Sequence, residues 1–160
     1  IRLIKKNEAE VKCVATEAAL EFVTSATIEH LSGEPLRTSL HDKDEEIKMG
    51  HIELARWPDA ILVAPATANI ISSMANGLAN DLAQTLLLAT TKPIYLAPAM
   101  NVRMWENPIF QSNLSLLKES GVEVIGPDEG EMACGEYGLG RMSEPSKIFD
   151  NLKKKKEKAL

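Results

Sequence analysis

Three apolar runs, each closed by a proline, constrain the fold of this chain more than any other feature of its sequence. The runs are Ala60–Ala64 before Pro65, Ile94–Ala97 before Pro98, and Val122–Ile125 before Gly126-Pro127. Unbroken apolar runs of this length are typical of parallel strands that are buried on both faces. Because proline cannot donate to the hydrogen-bond ladder, each proline predicts where a strand ends.

Helical patterns separate the three runs. Apolar residues recur at helical spacing over 70–78, over 82–89 after the candidate N-caps Asn80 and Asp81, and over 110–117 after Asn107-Pro108. Strands that alternate with helices predict an α/β fold. We expect a doubly wound, flavodoxin- or Rossmann-like parallel sheet with helices on both faces.

Shorter patterns fill residues 1–48. We expect a helix end at Leu3–Lys6, a β-rich run at Val11–Ala15 with Cys13 as a small apolar residue, a turn into a helix at Thr16–Phe22, a helix at Thr27–Leu31 stopped by Gly33, and an exposed charged segment at 41–48.

Composition limits the class of protein. The chain has 160 residues, of which 44% are hydrophobic and 26% charged, as expected for one globular domain. No apolar run approaches the roughly 20 residues that span a bilayer. Cys13 and Cys134 lie far apart, without the spacing of a metal site or a disulfide framework, so we expect a reduced, cytoplasmic setting.

Charge is unevenly spread along the chain. The net charge is −5, whereas the lysine-rich stretch 153–158 alone carries +4, which leaves −9 on the rest. An acidic body argues against a nucleic-acid surface. The basic stretch fits a solvated linker better than a contact with an anionic partner.

The loops after the three runs should line one crevice, since ligands bind outside the carboxyl ends of such strands. In the first loop, Ala64–Asn69, small residues let a flat ligand approach, and Thr67 and Asn69 offer hydrogen bonds at a helix start. Either residue is equally explained as a helix cap.

The second loop, Ala97–Asn101, is expected to form one wall of an active site. An asparagine just past a strand end can bind a carboxylate or an amide through its side chain. The alternative is that Asn101 is a turn residue that tolerates a positive φ.

The third loop, Gly126–Arg141, contains five glycines and is interpreted as a functional flap. Cys134 within it is a candidate proton donor or nucleophile, or else an incidental thiol. His51, just before an apolar run, is suited to proton transfer, although a lone histidine is more often structural. His30 and His41 are interpreted as solvated surface residues.

Taken together, these motifs resemble one family. Gly50-His51-Ile52, the Ala64–Asn69 loop, Pro98-Ala99-Met100-Asn101 and Ala133-Cys134-Gly135, in this order and spacing, are similar to the homo-oligomeric flavin-containing cysteine decarboxylases. Within that family the chain resembles the phosphopantothenoylcysteine decarboxylases of coenzyme A biosynthesis. The resemblance covers Ile1 to about Pro145.

The resemblance implies a role for individual residues. His51 and Cys134 would be catalytic, in the oxidative decarboxylation and in proton donation to the ene-thiol. Asn101 would bind the substrate carboxylate, and the flap residues Glu131, Met132 and Ala133 would cover the substrate. FMN would be contacted by Thr16, Glu17, Ala18, Thr67, Ala68, Asn69, Ile70 and Ala99.

The reaction that the resemblance implies is FMN-dependent decarboxylation of 4′-phosphopantothenoylcysteine to 4′-phosphopantetheine, through thioaldehyde and ene-thiolate intermediates. The alternatives are a decarboxylase of a peptide C-terminal cysteine, a non-catalytic flavin-fold regulatory subunit, and a flavodoxin-like electron carrier. An electron carrier should be strongly acidic, and Asn101 with Cys134 speaks against it.

The resemblance also implies a longer protein. The family has a first strand and a glycine-rich turn ahead of the helix that Ile1–Lys6 matches, so we expect an N-terminally truncated domain over 1–145. Without that segment the domain is expected either to bind flavin weakly or to need the segment in order to fold. Residues 146–160 would be a helical, basic linker to a phosphopantothenate–cysteine ligase domain. The family assembles as trimers and often as dodecamers.

Overall fold

The computed structural model describes residues 1–40, 50–133 and 135–158, so the expected segment 41–48 and Cys134 lie outside the described residues. Along the described chain the elements are α1 (Arg2–Lys5), α2 (Glu17–Leu20), α3 (Ser25–Ser32), α4 (His51–Arg56), β1 (Ile61–Ala66), α5 (Ala68–Ala75), α6 (Leu82–Ala89), β2 (Ile94–Pro98), α7 (Val102–Glu106), α8 (Pro108–Glu119), β3 (Glu123–Val124), β4 (Asp128–Glu131), β5 (Tyr137–Arg141) and α9 (Pro145–Lys158).

The chain forms two compact units. The first comprises Ile1–Arg56 with Ala79–Thr90, and the second comprises Trp57–Leu78 with Thr91–Leu160. In the first unit, α4 and α6 pack through the buried side chains Leu54, Ala55, Leu82 and Leu86. The Thr90 hydroxyl donates to the Ala55 carbonyl over 2.8 Å, which ties the end of α6 to α4.

The short N-terminal patterns are largely confirmed. Thr16 caps α2, and Gly33 ends α3 in the left-handed conformation with a φ of 74°. The β-rich run Val11–Ala15 forms only an isolated parallel bridge between Val14 and Arg37, not a regular strand. Cys13 is half-buried, and burial raises the pKa of its thiol, so it stays neutral and packs as a small apolar group.

The second unit contains a three-stranded parallel sheet in the order β1-β2-β3. Successive side chains of a strand point to opposite faces. On one face, Tyr95 and Ala97 of β2 pack against Ile148 and Leu152 of α9. Leu96 points to the other face and is fully buried. The predicted α/β fold, a parallel sheet with helices on both faces, is confirmed.

Two of the predicted strand ends are wrong. β1 continues through Pro65 to Ala66, and β2 includes Pro98, which is the register partner of Ala66. A proline removes a donor but keeps a carbonyl acceptor and an extended backbone, so pairing resumes after a shift in register between Val63 and Ala66. The third run pairs only over Glu123–Val124.

The third loop is more regular than expected. β4 and β5 form an antiparallel hairpin, in which Glu131 pairs with Tyr137. Glycines and charged residues conceal the alternation of apolar residues that normally reveals a strand. We refer to residues 128–141 as the flap hairpin.

Helix α9 follows the flap hairpin and is amphipathic at its start. Ile148 is buried in the core of the second unit, and Leu152 packs beside it. Within the described ranges 1–40, 50–133 and 135–158, no helix is both long enough and apolar enough to cross a membrane.

The base of the flap hairpin is tied to α9 by an ion pair. Lys147 and the Ser143 hydroxyl both donate to one carboxylate oxygen of Asp128. These two hydrogen bonds hold the pKa of the Asp128 carboxyl below its ordinary value of 3.8.

Asp128→Asn is therefore expected to lower the Tm slightly near neutral pH. A depressed pKa stabilises the fold above the unfolded value and loses that effect as pH falls through the folded value. The Tm difference from wild type should therefore shrink in a thermal-unfolding series taken below pH 3.8. Asp150→Asn, an exposed change on α9, serves as the control and should show no such pH dependence.

Candidate functional site

The ends of β1 and β2 lie side by side. The backbone N–H of Ala99 donates to the Ala66 carbonyl over 3.0 Å, one residue beyond the last strand pair. The first loop continues from Ala66 into Thr67, and the second continues from Ala99 into Asn101. The predicted convergence of these two loops at the carboxyl edge of the sheet is thus present in the structure.

Thr67 is the N-cap of α5. Its hydroxyl oxygen accepts from the backbone N–H of Ile70 over 3.4 Å, so the capping interpretation holds for this residue. Asn69, in the first turn of α5, is exposed, while Ala68, Ile70 and Ala99 are half-buried. Ala68 and Ala99 are small and Asn69 is polar, so a flat ligand can approach the backbone closely at these positions.

Asn101 is the N-cap of α7 and uses the two ends of its amide differently. The side-chain oxygen accepts from the backbone N–H of Arg103 over 2.7 Å. The side-chain nitrogen donates to a carboxylate oxygen of Glu136 over 2.6 Å. The φ of Asn101 is −59°, so the alternative of a positive-φ turn residue is wrong. Capping by the oxygen orients the amide and leaves its nitrogen as a carboxylate donor.

Glu136 accepts from a second donor as well. Its other carboxylate oxygen lies 2.6 Å from Nε of Arg103. Glu136 thereby bridges the cap residue of α7 and the second residue of that helix. Asn101, Arg103 and Glu136 form what we call the amide–carboxylate cluster.

The flap hairpin joins the second loop through its backbone. The N–H of Met100 donates to the Gly140 carbonyl over 2.9 Å. A Cβ on Gly140 would lie 2.3 Å from the Met100 carbonyl oxygen and 3.1 Å from the Met132 methyl group. Only glycine permits this approach, so β5 lies directly against the residue that precedes Asn101.

The tip of the flap hairpin is a tight turn. The N–H of Met132 donates to the Glu136 carbonyl over 2.7 Å, and that of Gly135 donates to the Met132 carbonyl over 2.8 Å. Met132 is half-buried, whereas Glu131 and Ala133 are exposed. Cys134 occupies the chain position between Ala133 and Gly135, outside the described residues.

The remaining predicted site residues belong to the first unit. His51 is half-buried and is the first residue of α4, whose next turn carries the buried Leu54 and Ala55. The Thr16 hydroxyl oxygen accepts from the backbone N–H of Ala19 over 3.2 Å as the cap of α2. Glu17 and Ala18 are exposed in the first turn of that helix.

Two members of the amide–carboxylate cluster were not anticipated from the sequence. Arg103 lies two residues after Asn101, and Glu136 lies two residues after Cys134. The sequence indicated these two residues only by placing a charged side chain near each candidate site residue. That proximity along the chain does not predict their contact, because Asn101 and Glu136 are 35 residues apart.

A family model described as Flavoprotein matches residues 1–157. The bifunctional coenzyme A biosynthesis protein CoaBC of Haemophilus influenzae is 53% identical over 152 residues, which cover 95% of this chain and 38% of that protein. CoaBC of Escherichia coli K12 is 43% identical over 150 residues, which cover 94% of this chain and 37% of that protein. The chain thus spans less than two fifths of the length of these relatives.

Solved structures are similar to this chain over most of its length. A PPC decarboxylase mutant complexed with pantothenoylaminoethenethiol superposes with a TM-score of 0.83 at 34% identity, covering 98% of this chain and 88% of that one. The FMN binding protein AtHal3 gives a TM-score of 0.81 at 35% identity, with 98% and 87% covered. The peptidyl-cysteine decarboxylase EpiD gives 0.78 at 28% identity, with 94% and 86% covered.

Proposed function

Since the chain belongs to the flavoprotein family, we propose that it catalyses the FMN-dependent decarboxylation of 4′-phosphopantothenoylcysteine to 4′-phosphopantetheine in coenzyme A biosynthesis. The enzyme is a phosphopantothenoylcysteine decarboxylase, a carboxy-lyase. The identities of 53% and 43% to CoaBC proteins and the superposition on a PPC decarboxylase support this substrate.

The observation that carries the proposal is the amide of Asn101. Its nitrogen already donates to a carboxylate, that of Glu136, at the carboxyl edge of the sheet. A substrate carboxylate needs the same kind of donor. Because an amide is neutral, it can hold the carboxylate in place without stabilising the ground state as strongly as an arginine would.

The residues at the first two strand ends fit FMN. Ala68 and Ala99 leave room for the flat ring, and the exposed Asn69 offers both donors and acceptors to its polar edge. Thr67, Ile70 and the first-unit residues Thr16, Glu17 and Ala18 complete the proposed set. When bound, FMN supplies a two-electron sink for oxidation of the cysteinyl thiol to a thioaldehyde, from which CO₂ can leave, and afterwards returns the electrons.

The chain's own residues bind the substrate and move protons. Asn101 Nδ2 holds the carboxylate that is lost. Met132, with Glu131 and Ala133, covers the substrate and excludes water from it. His51 handles the proton released in the oxidation, and the Cys134 thiol donates a proton to the ene-thiolate carbon.

The organisation of the whole protein is also proposed from its relatives. The decarboxylase domain extends beyond residue 145 into α9, because Ile148 and Leu152 pack in the core of the second unit. The lysine-rich stretch 153–158 leads towards a fused phosphopantothenate–cysteine ligase domain, as the bifunctional names of the relatives imply. The protein acts in the cytoplasm. It assembles as a homotrimer or a dodecamer, which the exposed apolar side chains of Met104, Ile109 and Leu116 support.

A peptide with a C-terminal cysteine is the second candidate substrate, because EpiD has the same fold at 28% identity. The higher identities to CoaBC proteins favour the coenzyme A precursor. A third candidate, a regulatory subunit, would bind FMN without any turnover.

The test is an assay of the FMN-loaded protein with 4′-phosphopantothenoylcysteine. We expect CO₂ and 4′-phosphopantetheine in equal amounts. A peptide ending in cysteine serves as the competing substrate and should react much more slowly. Faster turnover of the peptide, or bound FMN without turnover of either substrate, contradicts the proposal and identifies the second or the third candidate.

Cys134→Ser is expected to decarboxylate the substrate without completing the reduction. A serine hydroxyl is a far weaker acid than a thiol, so the ene-thiolate is not protonated efficiently and an oxidised product two mass units below 4′-phosphopantetheine should accumulate. Mass spectrometry of the products measures the amount of this oxidised product. Cys13→Ser, which changes the half-buried thiol of the first unit, is the matched control and should give the normal product. Normal product at full rate from the Cys134 variant contradicts its role.

A further inference from the structure

We infer that Glu136 is an internal substitute for the substrate's carboxylate. In the free enzyme it holds the Asn101 amide and closes the flap hairpin onto α7, and the incoming substrate must exchange its own carboxylate for that of Glu136. The inference rests on the proposed function and adds to it a residue that sets substrate affinity.

Glu136 and the substrate present the same chemical group, a carboxylate, to Asn101. Asn101 Nδ2 donates to a Glu136 carboxylate oxygen over 2.6 Å, and it would make the same kind of bond to a substrate carboxylate. The amide oxygen is committed to the backbone N–H of Arg103 as a helix cap. The cap fixes the orientation of the amide and so the directions of both N–H donors of its nitrogen. A substrate carboxylate that takes the donor directed at Glu136 must displace Glu136 from it.

The ion pair between Glu136 and Arg103 contributes little to stability. The Arg103 side chain is 84% exposed and that of Glu136 is 32% exposed. An ion pair this open to solvent contributes little net free energy. The cluster instead connects two small elements, the end of a hairpin and a five-residue helix, where a weak bond can be exchanged readily.

The flap hairpin has separate attachments at its base and near its tip. The flap hairpin is fixed near its base by the bond from Met100 to Gly140 and by Lys147 and Ser143 at Asp128. Glu136 lies at the other end, directly after the tip turn. Release of Glu136 from both Asn101 and Arg103 therefore lets Met132 and Ala133 move while the base stays attached.

The expected effect on binding follows from competition. The apparent affinity of a ligand is its intrinsic affinity multiplied by the fraction of protein in which the site is free. Removing a competing hydrogen bond of ordinary net strength should lower the KM for the carboxylate-bearing substrate by about threefold in Glu136→Gln, and by up to about tenfold in Glu136→Ala. The inhibition constant of 4′-phosphopantetheine, which lacks the carboxylate, should not change.

Two measurements test the inference on the FMN-loaded protein, with Glu129→Gln as the control. Glu129 is an exposed glutamate of the same hairpin, so its variant removes the same charge without touching Asn101. Hydrogen exchange without substrate should show faster exchange at 132–137 in both Glu136 variants and wild-type exchange in the control. Steady-state kinetics then give the KM and the product inhibition constant.

The outcomes are distinguishable. Unchanged exchange at 132–137 in the Glu136 variants overturns the inference whether or not the proposed substrate is right. A KM that stays constant or rises in those variants also overturns it, because Glu136 would then support substrate binding. If the wild-type protein does not act on 4′-phosphopantothenoylcysteine, the proposed function fails, and the carboxylate exchange that rests on it is overturned with it.

Discussion

In the Asn101→Asp variant, kcat/KM for 4′-phosphopantothenoylcysteine is expected to fall by about 100-fold or more, while the protein folds normally. Aspartate caps helices as well as asparagine does, so the bond from the Arg103 N–H to the residue 101 side chain is kept. The donor nitrogen is replaced by a second anionic oxygen, which repels a substrate carboxylate and also the carboxylate of Glu136. Loss of a charge-assisted bond together with a like-charge contact corresponds to about 2.7 kcal/mol or more.

The control for this experiment is a second capping asparagine. Asn107 caps α8 through its side-chain oxygen, which accepts from the N–H of Ile109 over 2.9 Å. Asn107→Asp makes the same chemical change at a helix start and should leave kcat/KM within about twofold of wild type. Serine is a neutral helix cap whose shorter side chain places no donor near the substrate carboxylate. The kcat/KM of Asn101→Ser should therefore lie between those of Asn101→Asp and Asn107→Asp. Full activity in Asn101→Asp contradicts the role assigned to this amide.

Local interactions explain what the sequence could predict. Asn107-Pro108 starts α8, and Gly33 ends α3, because a cap acts on the backbone within three or four residues of itself. The parallel strands were recognisable from their apolar runs, but burial on both faces holds only for β2. In β1, Ala64 and Pro65 are exposed, and both residues of β3 are half-buried. The parallel sheet and the adjacent loops after β1 and β2 follow from these elements.

Contacts between distant segments explain what the sequence could not predict. The sequence predicts that Asn101 binds a carboxylate or an amide, and in the structure its side chain contacts the carboxylate of Glu136, 35 residues away. That contact depends on the flap hairpin, whose strands contain glycines where packing would otherwise place apolar side chains. The continuation of β1 through Pro65 was missed because a prolyl residue blocks a donor without ending the extended backbone.

The roles of His51 and Cys134 come from the family resemblance, and local physics alone does not provide them. His51 begins a helix whose core side chains, Leu54 and Ala55, explain its position equally well. Cys134 lies within a glycine-rich segment, where packing gives no reason for a thiol. The proposed chemistry gives both residues a function, and the Cys134→Ser assay tests the second of them directly.

Gly140→Ala is expected to destabilise the protein by at least about 3 kcal/mol. Its φ is 151°, which side chains rarely adopt, and a Cβ there would lie 2.3 Å from the Met100 carbonyl oxygen. The oxygen belongs to a backbone whose N–H is bonded to Gly140 itself, so neither segment can move without breaking that bond. Urea-induced unfolding of the variant and of wild type measures the difference in the free energy of unfolding.

Gly121→Ala separates the clash from the strain of a positive φ. Gly121 has a φ of 91°, and among the described residues no atom beyond its chain neighbours comes within 4 Å of where its Cβ would lie. Its variant should therefore lose only about 1–2 kcal/mol. The Gly140 variant should also lose decarboxylase activity under conditions where it is still folded, because the hairpin can no longer approach Asn101. Equal losses of stability in the two variants would show that the close approach of β5 to Met100 does not hold the flap hairpin at the site.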